Sequence, residues 1–462
     1  MKFKIHMSYY DNDVAALKPE WWANESLYVL EEELVAANLV NRDYENFFVS
    51  AGDTVHVNKP GSFSANHKVK GSTTTTQDVT ATDLTVKLNQ HLEVTVLLDD
   101  REVQDSLPDL RQYVLAPMVR GLAEAVDAAV VGEAYSFYAN SAGELGVALT
   151  DDSVINLGRT FDENNVPSGG RILIVGPSGR ADLLRVDRFI DADKTGQAGK
   201  LLNGEIGTIM GFTTFMSQAV GKSIAKTVPS GTETVNGAAL RGATSLTIDS
   251  ATGGEILGTW FTIAGTEGIY RLTAAISATD TSMSFSPALR SAVADNAVIT
   301  FFNQAGDVKG AHAAGAIKVV TDGYAAADDV PAVGQGVSFA SSGVVYTVTK
   351  VAGTWANSST EMTLTLSRPL DAALANDDTV HSTPGGGCYN LALRKDAITL
   401  VNRPLSPAVA GSGVASAVQN NGVFSLRATI GYDMDYMRHK ITLDTLVGVK
   451  VLDSAQGGML LN

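Results

Sequence analysis

The sequence predicts an α+β fold interrupted by an all-β insertion, and three observations lead to it. From Leu84 the even positions Leu84, Val86, Leu88, Leu92, Val94, Val96 and Leu98 are apolar, the odd ones from Asp83 to Thr95 are polar, and the run feeds into an alanine-rich helical stretch. That period of two, broken only at Gln90, marks a half-buried strand. Arg171-Ile172-Leu173-Ile174-Val175 is a short apolar run of the buried-strand kind, followed at Pro177 by a helix to about Phe189. Between residues 221 and 387 helical periodicity vanishes, and short alternating strands rich in Thr, Ala and Gly replace it.

Taken in order, residues 1–46 are acidic and hold one amphipathic helical stretch, which reads as a solvated helix packed on its own domain. Pro19 opens a helical stretch to about Tyr44, with Leu27, Leu30, Leu34 and Ala37 on one stripe and Glu31, Glu32 and Glu33 opposite. Residues 47–90 predict a β-hairpin: Val55 and Val57 alternate with Thr54, His56 and Asn58, and a Gly- and Thr-rich tip, 60–76, separates the limbs. Taken as one strand, the returning limb would reach roughly 50 Å at about 3.3 Å per residue. Its apolar side is then expected to need another copy of the chain to cover it. Ser106, Pro108 and Asp109 start a helix whose Leu107, Leu110, Val114, Met118, Leu122, Val126 and Ala129 form one stripe. Pro117 falls inside that helix, removes one backbone hydrogen bond and predicts a bend there.

Residues 140–220 continue with a Gly-rich loop, a helix over Ser153–Asn164, the strand, turn and helix already noted, and a hairpin around Gly211. The insertion holds an internal duplication. Trp260-Phe261-Thr262-Ile263, Ile269-Tyr270-Arg271-Leu272 and Met283-Ser284-Phe285-Ser286 precede Pro287-Ala288-Leu289. Val337-Ser338-Phe339-Ala340, Val345-Tyr346-Thr347-Val348 and Leu364-Thr365-Leu366-Ser367 precede Arg368-Pro369-Leu370 in the same way. A spacing of about 80 residues suits two small β barrels or sandwiches in tandem. Asn390 to Val401 then alternates, a loop over 408–422 follows, and Phe424, Leu426, Ala428 and Ile430 alternate ahead of Ile441–Leu452. Those last segments are expected to pair as a sheet under the long helix.

The runs Gly52-Asp53-Thr54-Val55-His56-Val57, Gln77-Asp78-Val79-Thr80 and Leu107 to Asp127 resemble the extended loop and spine helix of tailed-bacteriophage major capsid proteins with the Hong Kong ninety-seven fold. The chain is most similar to the short-tailed-phage coat-protein subgroup that carries an inserted β domain. Gly204-Glu205-Ile206-Gly207-Thr208-Ile209-Met210-Gly211-Phe212, Asn390-Leu391-Ala392-Leu393-Arg394-Lys395-Asp396-Ala397 and Ile430-Gly431-Tyr432-Asp433 continue the resemblance in the family's order. The resemblance implies an arm over 1–46, an extended loop over 47–90, and a peripheral domain of 91–139 with 421–462 around the spine helix. It implies an axial domain of 140–220 with 388–420, gathered about the shell's symmetry axes, and an inserted domain over 221–387. The implied protein is no enzyme. It is a major capsid subunit that self-assembles as hexamers and pentamers into the icosahedral shell of a virion, built in the bacterial cytoplasm with a scaffolding protein and a portal. It encloses double-stranded DNA without sequence-specific binding, uses no cofactor or membrane, and leaves room for a decoration protein. Covalent crosslinks between Lys and Asn side chains are not expected, since no matching motif is present.

Bulk properties bear on the same expectations. A chain of 462 residues is too long for one core and suggests roughly two to four domains. The single cysteine, Cys388, rules out an intrachain disulfide framework and fits a reducing compartment. A net charge of −16 argues against binding nucleic acid through phosphate neutralisation. The polar N-terminus predicts no signal peptide, and no stretch approaches the roughly 20 apolar residues of a membrane span.

Several near-motifs fail on inspection. Gly176-Pro177-Ser178-Gly179-Arg180 has the shape of a nucleophile elbow, but Arg180 stands where a glycine is required. Gly196-Gln197-Ala198-Gly199-Lys200-Leu201 is too short for a phosphate loop and ends on Leu instead of Ser or Thr. Asp191, Asp193, Thr195 and Gly196 start like a calcium loop, yet its glutamate position falls on Leu202. The seven histidines show no pair at metal-ligand spacing, so no catalytic, cofactor or metal residues are assigned.

The candidate functional residues are therefore at contacts between subunits. Lys59, Lys68 and Lys70, with His56 and His67, make a basic hairpin tip free of acids between Asp53 and Asp78. Asp99, Asp100 and Glu102, with Asp105 and Asp109, make an acidic segment opposed only by Arg101. The tip of one subunit is expected to lie over this segment of the next, and Pro117 to mark a bend of the helix during shell expansion. Two other readings stay open: a bacterial nanocompartment shell on the same fold, and a secreted adhesin whose tandem β modules bind glycans.

Overall fold

The computed structural model describes residues 23, 25–27, 30, 34–44, 54–59, 65–74, 76–77, 82–99, 114–190, 207–220, 231–249, 251, 255–302, 306–408, 414–420 and 424–462. Among them the chain is mostly β, with few helices. Thr54–Lys59 (β1) and Thr82–Lys87 (β2) pair as an antiparallel hairpin, Thr54 opposite Lys87 and Lys59 opposite Thr82. The alternating run does not continue as one long strand. It breaks at Leu88-Asn89, and Gln90–Asp99 (β3) starts in a different sheet. Val57, Val86 and Leu88 pack with Val401 and Leu446. The apolar side of the hairpin, expected to need another subunit, is thus covered by its own chain. Gly448 permits this, since a Cβ there would collide with the Lys87 carbonyl.

Ala116–Val131 (α1) buries Met118, Leu122, Val126 and Ala129, the stripe expected of it. Pro117 lies in the first turn of α1 as its range is given, where the ring's fixed φ suits the helix. A π-helical turn at Val114–Leu115 precedes it. The start expected at Ser106 lies outside the described residues. After Val131 the helix tightens into a 3-10 helix over Gly132–Asn140, nine residues, longer than such helices commonly run. Ser141–Gly143 (β4) follows.

Asp151–Glu163 (α2) is capped by the Thr150 hydroxyl, which accepts from the Ser153 N–H at 3.3 Å. Arg171–Val175 (β5) leads to two short helices, Pro177–Leu183 (α3) and Asp187–Ile190 (α4), where one was expected. The break falls where Arg185 and Val186 donate to the Asp182 and Leu183 carbonyls, tightening the turn. Thr208–Ile209 (β6) and Phe212–Met216 (β7) form the hairpin around Gly211, and β7 runs parallel to β5.

The insertion contains two six-stranded modules. The first has Gly231–Thr234 (β8), Ser245–Thr247 (β9), Trp260–Ile263 (β10), Tyr270–Leu272 (β11), Ser282–Ser286 (β12) and Val298–Phe302 (β13). The second has Gly306–Val308 (β14), Lys318–Asp322 (β15), Gly336–Phe339 (β16), Val345–Ala352 (β17), Met362–Leu366 (β18) and Thr379–Ser382 (β19). The first is ordered β8-β13-β10-β11-β12-β9, and the second has the corresponding order and closes into a barrel through β14 and β15. In the first module a single bridge, Val235 to Ile248, stands where that closure would be. The duplication reaches single residues. Asn296 and Asp377 both take a left-handed backbone, with φ of 61° and 63°. Asp295 accepts the Gly237 N–H, and Asn376 the Gly310 N–H, both at 2.7 Å.

Beyond the insertion, Tyr389–Arg394 (β20) lies between β5 and the C-terminal strand in the six-stranded sheet that also holds β4, β7 and β6. Ile398–Arg403 (β21), Val414–Asn420 (β22), Ser425–Asp433 (β23) and Arg438–Val451 (β24) form the sheet beneath α1, and β3 pairs along β24. Gly457–Leu461 (β25) returns to the sheet of β20. Ile398–Arg403 and Val414–Asn420, expected with the strand-and-helix layer, pair in the sheet beneath α1, and Gly457–Leu461, expected beneath α1, pairs with β20 in the other. The 3-10 turns Lys395–Ala397 and Ser454–Gln456 switch the chain between sheets within three residues, a change that alternation cannot record. Part of the loop expected over 408–422 is strand β22.

Candidate assembly surfaces

The described part of the hairpin tip, 65–74, is exposed throughout, with Val69 at 71%. Gly71, at φ 89°, makes the turn, and Ser72 donates its N–H to the Val69 carbonyl at 3.1 Å. Lys68 and Lys70 point into solvent and form no ion pair among the described residues. Lys59 ends β1, its side chain outside the described residues. His56 is less free than the sequence implied, since its Nδ1 lies 2.6 Å from the Asp83 carboxylate across the hairpin.

Of the acidic segment only Asp99 is described. It is the exposed last residue of β3, and the register sets it opposite Arg438. Asp100 and Glu102 lie outside the described residues, as do Asp191, Asp193 and the loop at 196–201. Among the described residues, neither Lys68 nor Lys70 pairs with Asp99.

Sequence reasoning missed a second exposed hairpin. Between β23 and β24 the turn exposes Met434 at 82%, Tyr436 at 66% and Met437 at 66%, beside Tyr432. Leu97, 47% exposed, lies on neighbouring β3 opposite Lys440. A Met-Asp-Tyr-Met turn was the available signal, because turn tips are ordinarily polar.

The arm is held by a residue that periodicity presented only as a polar interruption of an apolar helix. Asp127 on α1 is buried, and its carboxylate accepts the backbone N–H groups of Val35 (3.0 Å), Ala36 (3.2 Å) and Ala37 (3.0 Å). Burial pushes the Asp127 carboxyl above its ordinary value, and the three donors pull the other way. By taking these N–H groups it stops the expected helix before Tyr44. Ala36–Asn38 is one 3-10 turn, and Asn41 then bridges Thr399 of β21. Leu27, Leu30, Leu34 and Ala37 are buried in the same core as α1.

The elbow-like turn proves to be packing. Asn390 accepts the Gly176 N–H at 2.8 Å and donates to the Leu460 carbonyl and Asn462 Oδ1, both at 3.0 Å, tying β5, β20 and β25 together. A Cβ on Gly179 would stand 3.0 Å from Asn390 Oδ1. Ser178 donates to Cys388 Sγ at 3.1 Å, and burial raises the pKa of that thiol, the reverse of what a nucleophile needs. Among the described residues no group of His, Cys, Asp and Glu could hold a metal, and no helix is long and apolar enough to cross a membrane.

No family model and no curated protein matches the chain. Among solved structures, one from Mycobacterium phage Che8 is similar at 14% identity and a TM-score of 0.45, covering 92% of this chain and 90% of that one. The capsid of cyanophage P-SCSP1u is similar at 12% identity and a TM-score of 0.41, covering 89% and 84%. The capsid of a native GTA particle is similar at 8% identity and a TM-score of 0.38, covering 92% and 90%.

Proposed function

We propose that the chain is the major capsid subunit of a tailed bacteriophage of the short-tailed-phage coat-protein subgroup. It assembles through hexamers and pentamers into an icosahedral shell around double-stranded DNA. The observation that carries this reading is the pair of outlying hairpins. One ends in the solvated tip 65–74 and the other in Met434, Tyr436 and Met437, apolar surface that a lone subunit leaves in water. Of the residues that carry the resemblance, Thr54–Val57 lie in β1, Ala116–Asp127 in α1, Thr208–Phe212 in the β6–β7 hairpin, Asn390–Arg394 in β20 and Ile430–Asp433 in β23, an order that supports the reading. Heterologous contacts of this kind close into rings, so the mechanism is geometric and needs no catalytic residue.

On this reading the arm meets a scaffolding protein, a portal occupies one vertex, and DNA is enclosed without base recognition. The two β modules stand on the outer face, where a decoration protein can reach them. Co-expression with a scaffolding protein followed by electron microscopy tests it. Closed shells of uniform diameter are expected; a protein that elutes as a monomer and shows no particles would overturn the reading.

A further inference from the structure

The two β modules leave a cavity of about 540 Å³ between them, lined by Tyr138, Leu257, Gly258, Arg271 and Leu272 on one side and Ala340, Gly343 and His381 on the other. His381 is 1% exposed, and neither ring nitrogen has a hydrogen-bond partner. A buried imidazole left so costs free energy unless something is meant to meet it. Burial, with the Arg271 cation nearby, holds the His381 pKa down to about 4, so at neutral pH the ring is uncharged and carries one N–H to give.

Arg271 sits across the seam. Its Nε donates to the Gly258 carbonyl at 3.0 Å and its Nη1 to the Gly343 carbonyl at 3.0 Å, but its Nη2 has only a long 3.4 Å contact with Ser338 Oγ. It has no carboxylate partner among the described residues. Gly258 takes φ +93°, and a Cβ there would stand 3.0 Å from Arg271 Nη2 and 3.5 Å from His381 Nε2. Arg271 Nη2 and His381 Nε2, from different modules, thus lie close together beside Gly258, where a side chain would crowd them.

We propose that this seam binds a small monocarboxylate, its oxygens received by Arg271 Nη2 and His381 Nε2 and its apolar body lying against Leu257, Leu272 and Ala340. One guanidinium without a counter-charge matches a single negative charge, while a phosphate dianion would be left half-neutralised in a partly buried site. Because Arg271 belongs to β11 and His381 to β19, the bound anion ties one module to the other.

The full-length chain is titrated calorimetrically with hexanoate, with hexanol as the body without the charge and inorganic phosphate as the charge without the body, at matched ionic strength. Saturable binding of one hexanoate per chain is expected, with hexanol and phosphate at least tenfold weaker. His381→Leu discriminates well, because His381 bonds to nothing in the empty site: the unliganded variant should unfold at no lower temperature, yet bind hexanoate at least tenfold more weakly. Arg271→Gln should weaken binding as strongly. Absence of saturable hexanoate binding, an equal response to hexanol or phosphate, or undiminished binding in His381→Leu would each overturn the proposal.

Discussion

Arg368 of the second β module reaches Glu133 at the start of the 3-10 helix, Nη1 to Oε1 at 3.0 Å, with side chains 10% and 2% exposed. The pair fastens the insertion to the long helix, and Gly132 beside it leaves room for Ser367, whose Oγ would lie 2.9 Å from a Cβ there. Burial keeps the Glu133 carboxyl above its ordinary value, with Arg368 the main influence in the opposite direction. Arg368→Met should therefore destabilise the chain by about 3–5 kcal/mol at neutral pH, the cost of a buried charge left alone. A raised carboxyl pKa means that the folded state holds the proton more tightly than the unfolded one, whose value is about 4.3. The deficit should then be small near pH 4 and grow as pH rises through the raised pKa. Denaturant midpoints from pH 4 to 8 measure it; a deficit independent of pH would refute the account.

Asp127→Asn should free the arm. An amide offers one acceptor oxygen where the carboxylate offers two, and it turns an N–H₂ toward a backbone donor, at a cost of about 1–3 kcal/mol. Amide exchange at Val35, Ala36 and Ala37 should accelerate more than exchange in the body of α1. Equal acceleration in both would mean global loosening rather than release of the arm.

Lys68→Glu combined with Lys70→Glu should leave subunit stability within about 0.5 kcal/mol, since both side chains are solvated. Assembly should nonetheless slow, more at low salt than at high, because exposed charges are screened within about 10 Å at 0.1 M ionic strength. Adding Asp99→Lys and Asp100→Lys should restore it. Light scattering during assembly reads the outcome, and normal low-salt assembly of the doubly reversed tip would end the electrostatic account.

Met434→Ser, Tyr436→Ser and Met437→Ser together should raise the subunit's solubility and leave its unfolding midpoint nearly unchanged, while shell yield falls severalfold. All three side chains are largely exposed in the single chain, so what they contribute must come from a neighbour. Full shell yield from the triple variant would remove this hairpin from the contact surface.

Pro117→Ala tests the junction ahead of α1. With Pro117 in the first turn, the substitution should change stability by less than about 1 kcal/mol. If the π-helical turn at Val114–Leu115 is the point that yields as a shell expands, the restored N–H should regularise it and slow expansion. Expansion followed by small-angle scattering at the wild-type rate would exclude that role.

Much of the fold was legible because burial on one face is a local, periodic demand. Val94, Val96 and Leu98 alternate, and Met118, Leu122 and Val126 recur at helical spacing, whatever lies opposite them. The repeat in the insertion was legible for the same reason: each module needs its own core, and Phe261, Tyr270 and Phe285 in one answer Val337, Tyr346 and Leu366 in the other. The basic tip was legible as composition. Its partner was not, because the sequence does not state which subunit surface comes near.

By itself, then, the sequence determined the helix stripe, the alternating strands, the duplicated modules and the charge of the hairpin tip. Only the tertiary structure decided that the hairpin's apolar side meets Val401 and Leu446, that Ile398 and Gly457 enter the sheets they do, and that Asp127 caps the arm. It alone showed that Arg271 and His381 face one another across a seam. The division has a physical cause. Periodicity records that a face is buried, whereas the choice of partner is made among surfaces far apart in the chain, by packing and by hydrogen bonds that must all be satisfied together.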